Sequence, residues 1–272
     1  MKKNNIFIII MLVIGTMFLL VGCKPKGDPK EVLNAYYSDI KDGNVEEAYE
    51  KLCSKSKENF SKEDFIKWQE TMSEYALTNK VTLEELNSYK EKTIDEIEFK
   101  NVVEFNVKEN TKDLRKNKDV NIDDYTMYVI DDNGEWKLYR GKENGKELVA
   151  DSLSILADMY SNGEGGKTEN INEAIKILNE ALKYDSNKYD IYYSLSTNYY
   201  LLNRYDDAKK AINIFLEKAT LDEEKSNAYN VQGLLCQSTN KIDDAKEYFK
   251  KAIQLDENNE HAKTNLARLE QY

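Results

Sequence analysis

The 272-residue sequence has little histidine, cysteine or proline, and each scarcity excludes a class of protein. Its one histidine, His261, cannot build a Ser-His-Asp triad, a Cys-His pair or a histidine-rich metal site. Three cysteines, at 23, 53 and 236, are too few for the disulfide framework of a small secreted domain. These absences argue against an enzyme, and we expect no catalytic residue, no cofactor and no metal.

Basic residues are also in short supply. There are 39 Lys and Arg residues against 50 Asp and Glu, a formal net charge of −11. No Lys- or Arg-rich run with interleaved aromatic residues offsets this charge. Because an acidic body is repelled by phosphate backbones, we expect no nucleic-acid partner.

One long apolar run is present, at the N-terminus. Met1-Lys2-Lys3 is basic, residues 6–21 are almost entirely apolar, and Gly22 precedes Cys23, which is the layout of a secretory signal. Leu20-Val21-Gly22-Cys23 resembles the lipobox of bacterial lipoproteins. The resemblance implies that residues 1–22 are removed and that the Cys23 thiol carries diacylglycerol, for example with palmitate chains. The alternative is an uncleaved membrane-spanning anchor, since the run has about the shortest length that spans a bilayer.

Lipidation at Cys23 implies a protein held at the extracytoplasmic face of the cell membrane, because two acyl chains suffice for stable anchoring. Residues 23–28 contain Pro25 and are followed by Pro29, so we interpret them as a short stiff tether. Removal of residues 1–22 also removes two lysines, which brings the net charge of the mature chain to −13.

Helical patterns come next, and strand patterns follow them. Asp28-Pro29 is typical of a helix start, and a second helix is predicted around residues 45–52. Ser61 with Asp64 predicts a third. From residue 103 the apolar residues alternate, and 132–134 form a hairpin turn, whereas 109–124 are poorly patterned and predict a loop. Helices before antiparallel strands indicate an α+β domain.

Three motifs of this region resemble the NTF2-like domains of bacterial lipoproteins. They are the run from Pro29 to Tyr37, Asp42-Gly43-Asn44 with Glu47-Ala48-Tyr49, and Asn133-Gly134-Glu135-Trp136. The resemblance spans residues 29–141 and implies a curved sheet around helices that forms a conical pocket. Tyr36, Tyr37, Trp68 and Trp136 could line that pocket or belong to the core.

Residues 148–272 contain an internal repeat. Ala174, Ala208 and Ala245 mark equivalent helices 34 and 37 residues apart, each preceded by another helical pattern. With Gly233 and the closing turn at 255–258, this pattern resembles the tetratricopeptide repeat. The resemblance implies an all-α solenoid of three helical hairpins and a capping helix at 261–270. The full fold prediction is therefore an α+β NTF2-like domain followed by an all-α TPR helical-hairpin solenoid.

Ser161-Asn162-Gly163-Glu164-Gly165-Gly166-Lys167-Thr168 nearly spells a phosphate-binding loop. A P-loop requires a glycine at its first position and a preceding strand, and here Ser161 follows a helical pattern. We interpret this segment as a widened loop between helices.

In such arrays the concave face comes from outward positions of the first helices. The candidate partner-binding residues are Asp158, Tyr193, Thr197, Tyr200, Asn230, Leu234 and Gln237. This face is acidic or neutral, which favours a basic or aromatic-rich protein segment of unknown identity. Alternatively, these residues are merely solvated.

The sequence thus predicts a membrane-anchored bacterial surface lipoprotein that is a non-catalytic scaffold and binds protein or peptide partners through its array. The alternative is small-ligand binding or enzymatic activity in the NTF2-like pocket. That alternative requires converging polar groups, for which Glu98, Glu104 and Tyr128 are candidates.

Overall fold

A computed structural model describes residues 24–271, apart from the side chains of residues 122–124. The predicted signal at 1–22 and the predicted lipidation at Cys23 lie outside the described residues. The helices that come first are α1 (Pro29–Asp42), α2 (Val45–Glu50), α3 (Ser54–Asn59) and α4 (Lys62–Ser73). The strands are β1 (Ala76–Ile94), β2 (Ile97–Asp113), β3 (Lys118–Asp132) and β4 (Glu135–Tyr139). The helices that follow are α5 (Gly145–Asn162), α6 (Ile171–Tyr184), α7 (Asp190–Leu201), α8 (Tyr205–Lys218), α9 (Asp222–Ser238), α10 (Ile242–Leu255) and α11 (Glu260–Glu270).

Side-chain caps fix the starts of α1 and α4, as the sequence predicts. The Asp28 carboxylate accepts a hydrogen bond from the Lys30 backbone N–H at 2.9 Å, and Pro29 opens the helix. Ser61 accepts from the Asp64 N–H at 3.1 Å and donates to the Asp64 carboxylate at 2.7 Å. α1 ends at Gly43, whose φ of +77° is the left-handed conformation of a helix-ending glycine.

The strands form one antiparallel sheet in the order β1-β2-β3-β4. On one face Val103, Phe105 and Val107 of β2 are buried against the helices. The predicted hairpin turn between β3 and β4 is present, with left-handed conformations at Asn133 and Gly134. The sheet thus follows the alternation that the sequence shows in this part.

The loop predicted over 109–124 is wrong, because β2 continues to Asp113 and β3 begins at Lys118. Asn110 pairs with Asn121, and its Nδ2 donates to the Asn121 Oδ1 at 2.8 Å. Residues in this ribbon do not alternate between apolar and polar, since little of it is fully buried on either face. The sequence does not predict β1 for the same reason, since Ile94 is the one buried residue among its 19.

Helices α5 to α10 form three helical hairpins, and α11 covers the last one. The positions predicted to need small residues lie where two helices pack closely. A Cβ atom on Gly233 of α9 would lie 2.4 Å from Cε1 of Phe249 on α10, so only glycine fits here without movement of the ring. Ala174, Ala208 and Ala245 are all fully buried. The region from α5 to α11 is therefore a tetratricopeptide-like helical array preceded by an antiparallel sheet region.

The sheet region and the array share one hydrophobic core. Buried residues continue from Phe65 and Trp68 on α4 to Leu153 on α5 and onward to α7. Gly145 allows the Phe60 ring to approach, because a Cβ there would lie 2.4 Å from that ring. At the surface, the Lys67 ammonium lies 2.7 Å from the Glu180 carboxylate. Helix α4 thus covers the end of the array that its capping helix α11 leaves open.

Candidate functional site

The candidate site is the face of the array formed by α5, α7, α9 and α11, the first helix of each hairpin and the cap. Polar contacts tie these helices to their neighbours. Ser196 donates to the Ala208 carbonyl at 2.9 Å, and Ser226 donates to the Ala252 carbonyl at 2.8 Å. Both hydroxyls are buried, so each satisfies its donor within the crossing of two helices. These bonds therefore join α7 to α8 and α9 to α10.

Carboxylates concentrate at the α5 end of this face. Asp158 lies on α5, and partial loss of surrounding water followed by the charge of Glu164 raises its pKa. Asp190 also raises this pKa, and only Arg115 of the β2–β3 turn acts against it. Within the described part of the chain, Asp158 has no ion pair. Asp158 is nevertheless exposed, so a positively charged group of a partner can reach its carboxylate.

Several other charges near this end form ion pairs. Lys188 forms an ion pair with Asp151 and lies 3.6 Å from Asp190. Arg115 donates to Asp113 at 2.9 and 3.1 Å, which holds the pKa of that carboxyl below its usual range. The Arg115 guanidinium also lies over the Tyr75 ring, 6.0 Å from its centroid. Asp158 and Glu164, by contrast, form no ion pair among the described residues.

The predicted residues of α7 are half-buried. Tyr193 packs its ring 5.4 Å from that of Phe215, and burial raises its pKa. Thr197 donates to the Ser194 carbonyl at 2.9 Å, within its own helix. Tyr200 reaches the next hairpin, where its hydroxyl accepts from Ser238 at 3.1 Å. The two tyrosines thus have a packing role in addition to any role at the surface.

The predicted residues of α9 also contact neighbouring parts of the array. Asn230 accepts a hydrogen bond at 2.9 Å from Asn265 of α11. Leu234 packs against a buried cluster that contains Phe249 and Leu269. Gln237, the last residue but one of α9, is half-buried. All seven predicted residues lie on the first helices, and their role in binding stays a prediction.

The glycine-rich loop between α5 and α6 contacts the sheet region. Gly163, Gly165 and Gly166 all have left-handed φ angles. A Cβ on Gly165 would lie 3.5 Å from the Leu114 carbonyl oxygen of the β2–β3 turn. Lys167 donates to the Glu74 carboxylate at 2.5 Å, so its ammonium is committed to an ion pair. The loop connects α5 to α6 and packs against the sheet region, in agreement with the widened loop that the sequence predicts.

A polar cluster that the sequence analysis missed lies between α1 and the sheet. The Tyr37 and Tyr125 hydroxyls are 2.6 Å apart, and Tyr125 donates to the Glu109 carboxylate. Burial raises the pKa of both tyrosines, so both keep their protons. No sequence signal identifies this cluster, since Glu109 and Tyr125 come together only through the pairing of β2 with β3.

Arg140 forms a second polar cluster just after β4. It donates to the Glu143 carboxylate at 2.8 and 3.1 Å and to the Tyr36 hydroxyl at 2.9 Å. Its guanidinium lies 5.0 Å from the centroid of the Trp68 ring. Tyr36, Trp68 and Trp136 are buried, so these rings belong to the core.

The polar residues suggested for a pocket lie elsewhere. Glu104 accepts from the Tyr89 hydroxyl at 2.7 Å and from Lys92 at 3.0 Å, and the Lys92 ammonium lies over the Tyr128 ring. Alternation along β2 and β3 places Glu104 and Tyr128 on the sheet face opposite to the helices. Glu98 is exposed. The suggestion that these three line an interior pocket is therefore wrong, because the direction of each side chain depends on the strand register.

Two further features bear on the class of protein. Among the residues that the structure describes, no helix is both long and apolar enough to cross a membrane. Over the same residues, no group of three or more His, Cys, Asp or Glu side chains is arranged to hold a metal ion. Cys53 is buried and Cys236 is half-buried, and both are free thiols.

The repeat can now be compared with known families. The tetratricopeptide repeat family model matches residues 226–259, which cover most of α9, all of α10 and the turn into α11. Residues 226–259 are a tetratricopeptide repeat. A comparison with curated proteins finds no match.

Several solved structures similar to this chain are tetratricopeptide domains. The first TPR of Spaghetti (RPAP3), bound to an HSP90 peptide, is 20% identical, with 45% of this chain and 90% of that chain covered and a TM-score of 0.39. The Arabidopsis OM64 TPR domain is 18% identical, with 46% and 98% covered and a TM-score of 0.41. YrrB, described as a TPR protein with an unusual peptide-binding site, is 20% identical, with 44% and 58% covered and a TM-score of 0.37.

Proposed function

We propose that this protein is a lipid-anchored, non-catalytic scaffold at the extracytoplasmic face of the bacterial cell membrane. The concave face of its array, within residues 148–272, binds a basic segment of a partner protein. The tetratricopeptide match supports a binding role, since stacked repeats present extended concave surfaces. The observation that carries the proposal is Asp158, an exposed carboxylate on α5 that forms no ion pair among the described residues.

A lysine or arginine of the partner would sit beside Asp158, where Glu164 and Asp190 add to the attraction. Further along the face, the rings of Tyr193 and Tyr200 offer surfaces on which a cationic side chain can lie. The remaining contacts of the proposed surface come from Thr197, Asn230, Leu234 and Gln237.

The anchor is proposed from the sequence of residues 1–23. The basic start, the apolar run and Leu20-Val21-Gly22-Cys23 support removal of residues 1–22 and diacylglycerol on Cys23. Mass spectrometry of the protein isolated from its own membranes tests this. A mature chain that starts at a diacylated Cys23 is expected, whereas a chain that retains the apolar run would establish the spanning anchor instead.

We assign residues 29–141 to an NTF2-like domain on the sequence motifs, and helices packed on one face of an antiparallel sheet support this. The Tyr37, Tyr125 and Glu109 cluster favours a second candidate function, small-ligand binding at this polar site. A ligand that raises the melting temperature of the wild type but not of Tyr125→Phe would support it.

Site-specific photo-crosslinking in cells tests the array function. A photoreactive amino acid at Gln237, on the concave face, is compared with one at Glu217, which is exposed on the second helix α8. We expect a discrete adduct from position 237 only. Equal labelling from both positions would contradict a concave binding surface.

A charge reversal then tests the role of Asp158. Asp158→Lys should abolish the adduct, while Glu217→Lys, the same charge change on an exposed carboxylate of α8, should leave it intact. An adduct that survives Asp158→Lys would exclude a basic partner segment at this position.

A further inference from the structure

The residues that directly follow the predicted lipidation site are packed against the body of the protein. Pro25 is buried, and the Trp136 indole N–H donates to the Gly27 carbonyl at 3.3 Å. The Lys24 ammonium lies 5.6 Å from the centroid of the Trp136 ring. Three contacts within five residues therefore hold the segment that the sequence predicts to be a short stiff tether.

Both ends of this contact are fixed. Trp136 is only 6% exposed and belongs to the core of the sheet region. Asp28 caps α1, which locks the other end of the segment to a helix. Consecutive Cα atoms are about 3.8 Å apart, so a lipid joined at position 23 would be attached one residue from Lys24. A lipid on Cys23 would thus be attached to the body almost directly.

We infer that this docked segment sets the orientation of the protein on the membrane. The face formed by residues 24–28, the first turn of α1 and the β3–β4 turn lies against the lipid headgroups. The inference rests on the proposed anchoring at Cys23, and it adds the surface that meets the bilayer. A long flexible tether would leave every face equally accessible to the membrane.

Charge on this face is mixed, because exposed Asp28, Glu31 and Glu135 accompany its lysines. Lys24 and Lys26 are exposed, and Lys30 follows in the first turn of α1. The chain as a whole carries a formal net charge of −11, so most of its surface is repelled by anionic lipids. The lysines beside the anchor are therefore the groups on this face that attract anionic headgroups.

Lysine footprinting on vesicles tests the orientation. The mature chain with Cys236→Ala is coupled through Cys23 to maleimide lipids in vesicles of phosphatidylcholine and phosphatidylglycerol in equal parts. Cys53 is 0% exposed and does not compete. Acetylation by a water-soluble reagent is measured by mass spectrometry at Lys24 and Lys26, with exposed Lys250 of α10 as the reference. We expect coupling to slow acetylation several-fold at the first two lysines and to leave Lys250 unchanged.

A matched variant carries a twenty-residue Gly-Ser linker between Cys23 and Lys24, which keeps the docked segment intact. Such a linker has a root-mean-square length of about 25 Å, enough to release the body from the bilayer. Loss of protection in this variant would support the inference. Equal acetylation at all three lysines without the linker, protection of Lys250, or protection that persists with the linker would overturn it.

Chemical coupling supplies the anchor whether or not the cell lipidates Cys23. A failure of the proposed anchoring appears in the mass of the native protein, and a failure of the orientation appears in the footprint. The two results are therefore separate.

Discussion

Replacement of Gly233 by alanine is expected to destabilise the array, although the same change stabilises most helices. In α9, a Cβ at this position would lie 2.4 Å from Cε1 and 2.6 Å from Cδ1 of Phe249. Phe249 is 0% exposed, so its ring cannot move aside into solvent. Overpacking of a core costs about 1–3 kcal/mol. The gain in helix propensity is about 0.8–1 kcal/mol, so we expect a net loss of up to about 2 kcal/mol.

Urea unfolding monitored by circular dichroism measures this loss. Tryptophan fluorescence is not suitable, because both tryptophans lie in the sheet region and report on that region instead. The partner change Phe249→Leu gives a double-mutant cycle. If the ring causes the strain, the double variant is more stable than the sum of the single effects predicts, by at least about 0.5 kcal/mol. A higher midpoint for Gly233→Ala, or strictly additive effects, would refute the close helix crossing.

Three further predictions concern the sheet region and its junction with the array. Gly165→Ala should lower the free energy of unfolding by at least about 1 kcal/mol, since φ is +61° and a Cβ would lie 2.3 Å from the Met159 methyl carbon. Urea titration measures this loss, and an unchanged midpoint would contradict the loop geometry. Arg140→Lys should lower the free energy of unfolding by about 1.5–3 kcal/mol, because an ammonium cannot replace the forked contacts to Glu143 and Tyr36. A variant that melts at the same temperature as the wild type would show that these contacts add no stability. Burial raises the pKa of Tyr75 to about 12. Its folded form therefore holds the phenol proton more tightly than the unfolded form. The resulting stability is complete below about pH 10 and is lost as the pH rises towards 12, so Tyr75→Phe should show a smaller loss over that range in unfolding titrations; an equal loss would contradict this.

Local patterns with a strong physical cause could be predicted from the sequence. The caps at Asp28 and Ser61 are confirmed, because each depends on side chains within three residues of the helix start. Gly233 could be identified from its place in the repeat, since a close helix crossing demands a small residue. The hairpin turn at Asn133 and Gly134 is likewise a property of two adjacent residues.

Strands whose side chains are largely exposed could not be predicted. The outer parts of β1, β2 and β3 are paired through backbone hydrogen bonds, while much of their side-chain surface remains in contact with water. Such strands show no apolar alternation. The error over 109–124 followed, and with it the omission of Glu109 from the candidate pocket residues.

The sequence by itself determined the two-part organisation, the helical repeats and the acidic character of the chain, because composition and periodicity are visible within short stretches of residues. Only the tertiary structure decided what meets across the chain: Trp136 with the segment after Cys23, the glycine loop with the β2–β3 turn, and Tyr37 with Tyr125. These contacts join residues that are far apart in sequence. They depend on strand register and on how α4 packs against α5, and neither leaves a mark in any single stretch of residues.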